Sequence, residues 1–394
     1  MPSERTKALL FTAFEPSGDE HAAAVIAELR ARHPDLVMYA WGGRAMQAAG
    51  ATIIEQTGDD AVMGMPGLAK IREHQRINTR IDAFLGEHPE VVMHIPVDSP
   101  AANGPICDIA KGRGLKVVHL VAPQIWAWGR WRIHTLRKRT DLLLCLLPFE
   151  EEFFRKRNVP ARFIGHFLFD QPVVTSSDEA LANAFPEGEP RLALMPGSRP
   201  DELRRHFPVL LEAFRELRQR HQRLVGVVAA TTPGVAQWLR TMADEHGGWP
   251  EGLGLVVGQT DDVIRWCDLA LVKSGTVTLQ VARQARPMVV FYQKANALVY
   301  LMARVILSTR LFSLPNLLAR RRIVPELVPH YGGAGPIVRE ADRLLTQADR
   351  LNLQVADLKS VAGAFIGRHA ARAAADEIER LACLDSPQPA ACAC

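Results

Sequence analysis

The sequence has little net charge and no long uncharged apolar run. Lys and Arg together number 47 and Asp and Glu 43 in 394 residues, which leaves a net charge of +4. A general nucleic-acid-binding protein usually carries a stronger positive field, so we expect no nucleic-acid partner. Charged residues interrupt every long apolar stretch, which argues against an ordinary membrane-spanning helix. The short apolar run near the start meets Glu15 almost at once, so we also expect no secretory signal.

Cysteine motifs and common nucleotide motifs are also missing. The six cysteines form no CxxC pair, and no Cys/His cluster has the spacing of a zinc site. We therefore expect no metal and a set of buried, reduced thiols in a cytoplasmic protein. No Walker P-loop and no complete GxGxxG follows a first strand, which disfavours P-loop ATPases and simple dehydrogenases.

Apolar runs of strand length alternate with helical patterns along most of the chain. The predicted strands are residues 7–14, 37–41, 91–95, 116–121, 142–146, 162–164, 191–195, 224–230, 255–257, 269–272 and 288–292. Helical patterns lie between them, at residues 20–32, 71–85, 106–111, 207–219, 235–245 and 276–283. Continuous apolar strands separated by helices predict parallel sheets covered on both faces, an α/β protein with more strands than one domain usually uses.

A break in this pattern predicts the domain organisation. Turn formers and acids collect in residues 171–190, which we interpret as a linker. This linker would join two Rossmann-like domains, at residues 1–170 and 191–340. Residues 341–394 would form a helical segment with a tail, and this segment would pack back across a domain already formed. Two facing domains of this kind place a cleft between them, at the carboxyl ends of their strands.

Two strand-to-helix loops of the first domain carry candidate acids. Ser17 or Asp19 could cap the helix that follows the first strand, and Gly18 would let a ligand approach the backbone. Glu15 is not expected to cap this helix, and we expect its side chain to point toward the cleft. Asp98, held between two prolines, is a candidate general base, although a turn-forming Asp explains the same pattern.

A tryptophan-rich loop follows at residues 122–132. Trp126, Trp128 and Trp131 alternate there with arginines, and Arg137-Lys138-Arg139 comes next. The rings could stack bases, line a sugar or acyl-chain pocket, or belong to the core. Because the net charge is low, we favour a pocket wall and a face for anionic lipid.

Two turns of the second domain are typical of phosphate sites. Gly197, Ser198 and Arg199 follow one strand, and Lys273-Ser274-Gly275-Thr276 follows another and opens a helix. Such turns offer backbone N–H groups, hydroxyls and a guanidinium to a diphosphate. Two of them in one domain favour a nucleotide-diphosphate site. No Asp-x-Asp pair is present to hold a metal there.

Two further segments suggest a peripheral membrane contact. Residues 61–68 form an apolar loop before a basic helix that carries Lys70, Arg72, Arg76 and Arg80. Residues 297–318 mix large apolar side chains with arginines and end near Arg320-Arg321-Arg322. Basic amphipathic helices lie in membrane interfaces. Each segment alone is better explained as a core-facing helix with a solvated basic side, and only the two together favour a membrane contact.

The motifs, taken in order, resemble one family. They include Glu15-Pro16-Ser17-Gly18-Asp19 and Met195-Pro196-Gly197-Ser198-Arg199. The others are residues 62–64, 95–100, 124–128, 147–150, 165–170, 274–276, 314–316 and 324–327. From about residue 7 to 330, the sequence resembles the lipid-A-disaccharide synthases, two-domain glycosyltransferases of the GT-B type.

The resemblance implies an inverting transfer without metal or cofactor. The family moves 2,3-diacylglucosamine from UDP-diacylglucosamine to diacylglucosamine 1-phosphate, forming the β-1′,6-linked disaccharide of lipid A and releasing UDP. It works as a peripheral protein on the cytoplasmic face of the inner membrane, on an anionic surface, and a homodimer is compatible with it. By resemblance, Asp98 would be the base, and Glu15 would be a second catalytic residue. Glu15, Ser17, Gly18, Asp19 and Trp126 would line the acceptor side. The UDP part would be held by Gly197, Ser198, Arg199, Ser274, Gly275, Thr276, Gln280, Asn316 and Glu326.

The sequence departs from the family pattern at several positions. The family usually has Asp-Phe at Ala101-Ala102, Glu at Gln280 and Gln at Pro329, and small residues at Phe14 and Pro16. Gln280 can still hydrogen-bond a ribose. The alternatives are a UDP-sugar transferase with another acyl-sugar acceptor, a UDP-sugar epimerase of the same fold, or an inactive UDP-sugar- or lipid-binding relative.

Overall fold

The structure, a computed structural model, describes residues 7–57, 68–173, 175–293 and 309–384. It divides the chain into two compact units. The first unit ends at Asp170, the second comprises Gln171–Ile366, and the chain returns to the first unit at Gly367. Each unit contains its own parallel sheet with apolar clusters on both faces. The predicted α/β class with two Rossmann-like domains is confirmed.

Seven parallel strands form the sheet of the first unit, in the order β3-β2-β1-β4-β5-β6-β7. They are β1 (Ala8–Ala13), β2 (Val37–Gly42), β3 (Thr52–Gln56), β4 (Val91–Val97), β5 (Lys116–Leu120), β6 (Leu142–Cys145) and β7 (Ala161–Phe163). Every residue of β1 and β6 is buried, as expected where helices cover both faces. The direction of strand order reverses between β1 and β4, where sheets of this type bind ligands.

Helices cover this first sheet. They are α1 (Pro16–Arg32), α2 (Arg44–Ala48), α3 (Leu68–Glu87), α4 (Pro100–Gly112), α5 (Ile133–Arg139) and α6 (Pro148–Arg155). Helices α1, α4 and α6 each begin with a proline, which lacks the N–H that a first turn leaves unpaired. Helix α3 buries Ile77, Ile81 and Leu85 against the sheet and exposes Arg72 and Arg76.

Six parallel strands form the sheet of the second unit, in the order β10-β9-β8-β11-β12-β13. They are β8 (Arg191–Met195), β9 (Val225–Ala230), β10 (Leu253–Val257), β11 (Leu269–Lys273), β12 (Met288–Gln293) and β13 (Glu326–His330). Its helices are α7 (Asp178–Ala184), α8 (Pro200–Arg220), α9 (Pro233–Asp244), α10 (Thr260–Trp266), α11 (Val277–Arg283), α12 (Leu314–Ala319), α13 (Gly335–Thr346) and α14 (Ala348–Gly363). The order here reverses between β8 and β11.

The predicted strands all occur, with ends displaced by up to two residues, but β3 and β13 were not predicted. Both lie at an edge of their sheet. Side chains of β3 alternate between exposed and half-buried, and β13 contains Pro329. An edge strand buries less of its surface, so neither forms the continuous apolar run on which the prediction relied.

The C-terminal part differs from the single helical segment predicted for residues 341–394. Helices α13 and α14 belong to the second unit, whereas α15 (Ala370–Ala382) belongs to the first. Helix α14 ends at Gly363, and the turn that follows contains Gly367, whose φ of +75° glycine adopts readily. Residues 171–190, predicted as a linker, lie in the second unit and include α7.

Several predicted features fall partly outside the described residues. Residues 61–67 and 297–308 of the two predicted membrane segments lie there, as do Cys392 and Cys394. Of the remaining thiols, Cys107, Cys145 and Cys267 are buried and unpaired, as predicted, and Cys383 is exposed. Among the described helices, none is long and apolar enough to cross a membrane.

Candidate functional site

The two acid-bearing loops of the first unit meet where the strand order reverses. Strands β1 and β4 are paired so that Ala13 lies beside Val97, and the residues that follow them come together. The Oγ of Ser99 donates a hydrogen bond of 3.1 Å to Oε1 of Glu15. Glu15 is the N-cap residue of α1 but its side chain makes no capping bond. The structure therefore brings Glu15 and the Asp98 loop together.

The backbone at Asp98 is held in an uncommon conformation. Asp98 and Ser99 have φ values of 47° and 41°, in the left-handed region. The Nδ2 of Asn103 donates to the carbonyl oxygens of Val97 and Asp98, at 3.1 and 2.9 Å. These two bonds fix the turn that carries the Asp98 carboxyl.

Asn103 is itself held by two buried side chains. The Oγ1 of Thr12 donates to Oδ1 of Asn103 at 2.6 Å, and Nε2 of His94 lies 2.8 Å from that hydroxyl. A hydroxyl has one proton to give, so His94 must donate through Nε2. All three side chains are fully buried, and burial lowers the pKa of His94 to about 3. The sequence analysis did not identify Thr12 and His94 as part of the site. Their position as polar residues within apolar strands was the signal that could have indicated them.

The electrostatics around Asp98 suit a proton acceptor. Burial raises the pKa of Asp98 above its ordinary value, and the neighbouring charge of Glu15 raises it further. A hydrogen bond from the backbone of Ser99 acts in the opposite direction. The net increase strengthens the carboxylate as a base, because a higher pKa means a stronger hold on an abstracted proton.

The other predicted residues of the β1–α1 loop have different environments. Asp19 accepts hydrogen bonds from the backbone N–H groups of Gly43, Ala45 and Met46, at 2.8, 2.9 and 3.3 Å. It therefore caps α2, a role that spacing along the chain did not indicate. Gly18 is buried, and a Cβ there would lie 3.4 Å from the Cβ of Ala13. Ser17 is exposed on the first turn of α1.

The three tryptophans separate into one buried and two exposed rings. The Nε1 of Trp126 donates to Oε1 of Glu150 at 2.9 Å, and burial raises the pKa of that acid to about 7. Trp128 and Trp131 are 46% and 64% exposed. The guanidinium of Arg132 lies 3.8 Å from the ring centre of Trp128. Trp126 is therefore part of the fold, while Trp128 and Trp131 expose much of their rings.

The two predicted phosphate turns lie side by side in the second unit. Strands β8 and β11 pair Met195 with Val272, so both turns leave the same edge of the sheet. Gly197 and Gly275 have φ values of +112° and +157°, which glycine adopts without steric cost. Ser198, Arg199 and Thr276 are exposed, and Ser274 is half-buried with its N–H bonded to the carbonyl of Phe291.

A lysine and an acid occupy the space between these turns. Lys273 ends β11, and its Nζ lies 2.8 Å from Oε1 of Glu202 on α8. Nη1 of Arg199 is 4.0 Å from the same oxygen. The side chains of Lys273 and Glu202 are 14% and 11% exposed. This pair joins the two turns, and neither residue was singled out from the sequence as a functional side chain.

The remaining predicted UDP residues are engaged within the second unit. Nε2 of Gln280 donates to Oδ1 of Asp261 at 3.0 Å. The buried Asn316 donates to Oε2 of Glu326 at 2.9 Å and to the carbonyl of Val324. Glu326 also accepts from the backbone of Phe312 and from Ser313. Asn316 and Glu326 thus fix the segment between α12 and β13.

No metal-binding cluster occurs in the part of the chain that the structure describes. There, no three His, Cys, Asp or Glu side chains are grouped so that they could hold an ion.

A family model and individual relatives all match this chain to the same family. The family model described as lipid-A-disaccharide synthetase matches residues 9–371. The protein named lipid-A-disaccharide synthase from Myxococcus xanthus (strain DK1622) is 36% identical over 328 residues, or 81% of this chain and 83% of that protein. The corresponding protein of Azotobacter vinelandii (strain DJ / ATCC BAA-1303) is 39% identical over 319 residues, or 80% and 83%.

Solved structures show the fold. The S. aureus MnaA–UDP co-structure has a TM-score of 0.65 at 11% identity and covers 97% of this chain, with 99% of that chain covered. At this identity the similarity concerns the fold alone, which is that of the GT-B glycosyltransferases.

Proposed function

Because the chain belongs to the lipid-A-disaccharide synthase family, we propose that it is the corresponding inverting glycosyltransferase. It transfers 2,3-diacylglucosamine from its UDP donor to 2,3-diacylglucosamine 1-phosphate, and the products are the β-1′,6-linked disaccharide and UDP. The observation that carries this proposal is the half-buried Asp98 beside Glu15, at the reversal of strand order in the first sheet.

Asp98 is the general base of this reaction. Its carboxylate takes the proton of the acceptor's primary hydroxyl, and the oxygen attacks the anomeric carbon of the donor. The bond from that carbon to the β-phosphate oxygen breaks in the same in-line displacement, and its electron pair leaves with UDP. The raised pKa of Asp98 supports this role. Glu15, held by Ser99, lines the acceptor side.

The two turns of the second unit bind UDP. Gly197 and Gly275 let phosphate oxygens approach the backbone, and Ser198, Ser274 and Thr276 offer hydroxyl groups. Arg199, whose side chain is 54% exposed, supplies positive charge for the diphosphate that develops on bond breaking. UDP-sugar is a substrate here, and the proposed reaction requires neither a metal nor a cofactor.

The substrates' acyl chains call for a membrane surface. The exposed rings of Trp128 and Trp131 and the exposed Arg130 between them suit the interface of an anionic bilayer. Arg137 and Lys138 follow on α5 and are also exposed. On this basis, the protein docks peripherally on the cytoplasmic face of the inner membrane, with its acceptor side supplied from the bilayer.

The decisive experiment measures both products. The purified chain is incubated with UDP-diacylglucosamine and diacylglucosamine 1-phosphate, and UDP and disaccharide are followed by mass spectrometry. We expect equal amounts of both products, and a loss of turnover on the order of a hundredfold or more in Asp98→Asn, with UDP affinity retained. If UDP binds but no disaccharide forms with any acyl-sugar acceptor, the chain is a binding protein and the proposal is wrong. Near-normal rates in Asp98→Asn would exclude Asp98 as the base.

A further inference from the structure

Lys273 lies between the two glycine turns of the second unit. A Cβ added to Gly275 would lie 3.2 Å from Nζ of Lys273. A Cβ added to Gly197 would lie 2.8 Å from Oε2 of Glu202 and 3.6 Å from Cδ of Lys273. The lysine side chain and its acid partner therefore lie between the turns, and a side chain on either glycine would crowd them.

The balance of charge at this place is positive. The single carboxylate of Glu202 pairs with two cations. Its Oε1 lies 2.8 Å from Nζ of Lys273 and 4.0 Å from Nη1 of Arg199. The three groups together carry one net positive charge. This charge is available to an anion that reaches both turns, and it lies where few water molecules compete because the Lys273 side chain is only 14% exposed.

The neighbouring histidine adds no further charge. His206 on α8 is fully buried, with its ring 5.4 Å from that of Phe291 and 5.0 Å from that of Tyr292. Burial lowers the pKa of His206 to about 4, so its ring is neutral at neutral pH. Lys273 and Arg199 are thus the cations that face the turns from β11 and from the start of α8.

We propose that Lys273 binds the diphosphate of the UDP-sugar, and that Glu202 holds its ammonium between the turns until the ligand arrives. The inference rests on the proposed function and gives a phosphate-binding role to a lysine that the sequence analysis named only as the first residue of its turn. An ammonium donates charge-assisted hydrogen bonds to phosphate oxygens. The same group would stabilise the negative charge that the diphosphate gains when the bond between the donor's anomeric carbon and the β-phosphate oxygen breaks.

The test compares UDP with uridine as ligands of the purified full chain. Lys273→Met keeps most of the length of the side chain and removes its charge. Affinities are measured by titration calorimetry. We expect UDP to bind about ten- to a hundredfold more weakly, as expected for loss of a hydrogen bond to a charged group. The affinity for uridine, which has no phosphate, should stay within about twofold. Lys273→Arg should retain most of the affinity for UDP.

Lys359→Ala is the matched control. This lysine is exposed on α14 of the same unit, and its loss should change neither affinity. An unchanged affinity for UDP in Lys273→Met would overturn the proposal, and so would an equal loss for UDP and uridine, since that pattern indicates general damage to the unit. If the unaltered chain binds UDP no better than uridine, the diphosphate site is absent and the proposal is also wrong.

The outcome is separable from that of the proposed function. A chain that binds UDP through Lys273 but forms no disaccharide would contradict the transferase proposal and support the one made here. If Lys273→Met forms disaccharide at normal rates and binds UDP with unchanged affinity, the transferase proposal is supported and the proposal for Lys273 is wrong.

Discussion

Single side chains on β1, β4 and α4 determine how the proposed base is held. Asn103 fixes the backbone at Asp98, and Thr12 and His94 fix Asn103. The meeting of Glu15 and Asp98 was predictable, because both follow strands of a parallel sheet whose carboxyl ends share one edge. The buried contacts were not, since a polar residue within an apolar strand does not reveal its partner. Lys273 was visible in its motif, but its pairing with Glu202 depends on the register of β8 and β11.

The position of the acidic limb in the pH profile of activity should depend on the charge of Glu15. Burial and Glu15 raise the pKa of Asp98, so Asp98 stays protonated, and inactive as a base, at pH values where an ordinary aspartic acid is ionised. Activity therefore falls as the pH decreases through this raised value. Glu15→Gln removes one negative charge and lowers the pKa, so the acidic limb of kcat/KM should move to lower pH. The measurement is a pH profile of kcat/KM for both proteins.

Glu20→Gln serves as the control for this profile. Glu20 is exposed on α1, and its neutralisation should leave the acidic limb in place. An identical limb in Glu15→Gln and the unaltered protein would show that Asp98 does not sense Glu15, whatever the change in absolute rate.

Whole strands and helices differ in how much of them the sequence predicts. Central strands such as β1 and β6 are buried on both faces and form continuous apolar runs, so their positions were predicted. The edge strands β3 and β13 were missed because part of their surface is exposed. Helix α2 has only five residues, too few for a periodic pattern, and its stability depends on an acid from α1.

Loss of that acid should destabilise the first unit. Asp19→Ala removes the acceptor for three backbone N–H groups at the start of α2. We expect a decrease in the free energy of unfolding of about 0.5–2 kcal/mol, the usual cost of losing such a cap. Urea unfolding of the full chain measures it, and Glu20→Ala at the exposed neighbouring position should change stability by less than about 0.5 kcal/mol. Unaltered stability with a raised KM for the acceptor would instead indicate a substrate contact at Asp19.

At the scale of the whole molecule, the second unit is an insertion in the first. The carboxylate of Asp170 accepts hydrogen bonds from the N–H groups of Ala370 and Ala371, at 2.7 and 2.8 Å. The residue at which the chain leaves the first unit therefore caps the helix with which it returns. The division near residue 170 was visible as a change in composition, and a helical end that packs back was expected. That α15 alone returns, and that it joins the first unit, was not predicted, because its contacts are some 200 residues away along the chain.

Membrane binding should depend on the exposed tryptophans and on charge. The double variant Trp128→Ser/Trp131→Ser is expected to bind vesicles containing anionic lipid more weakly than the unaltered chain in a flotation assay. High salt should release the unaltered chain, because the basic side chains nearby act through screened electrostatic attraction. Ile366→Ser, at an apolar side chain of the second unit that is 78% exposed, should bind as the unaltered chain does. Equal binding of the double variant, or binding that salt does not weaken, would contradict docking through this surface.

The return of the chain at Gly367 also sets an order for folding during synthesis. Ala370, Ala374, Ala375, Ile378 and Ala382 of α15 belong to the main apolar cluster of the first unit. When the ribosome has made the first 170 residues, that cluster still lacks this helix, whereas Gln171–Ile366 is one uninterrupted stretch. Domains generally fold as units while the chain emerges. Gln171–Ile366 can therefore complete its core before the first unit, which must wait until α15 has been made.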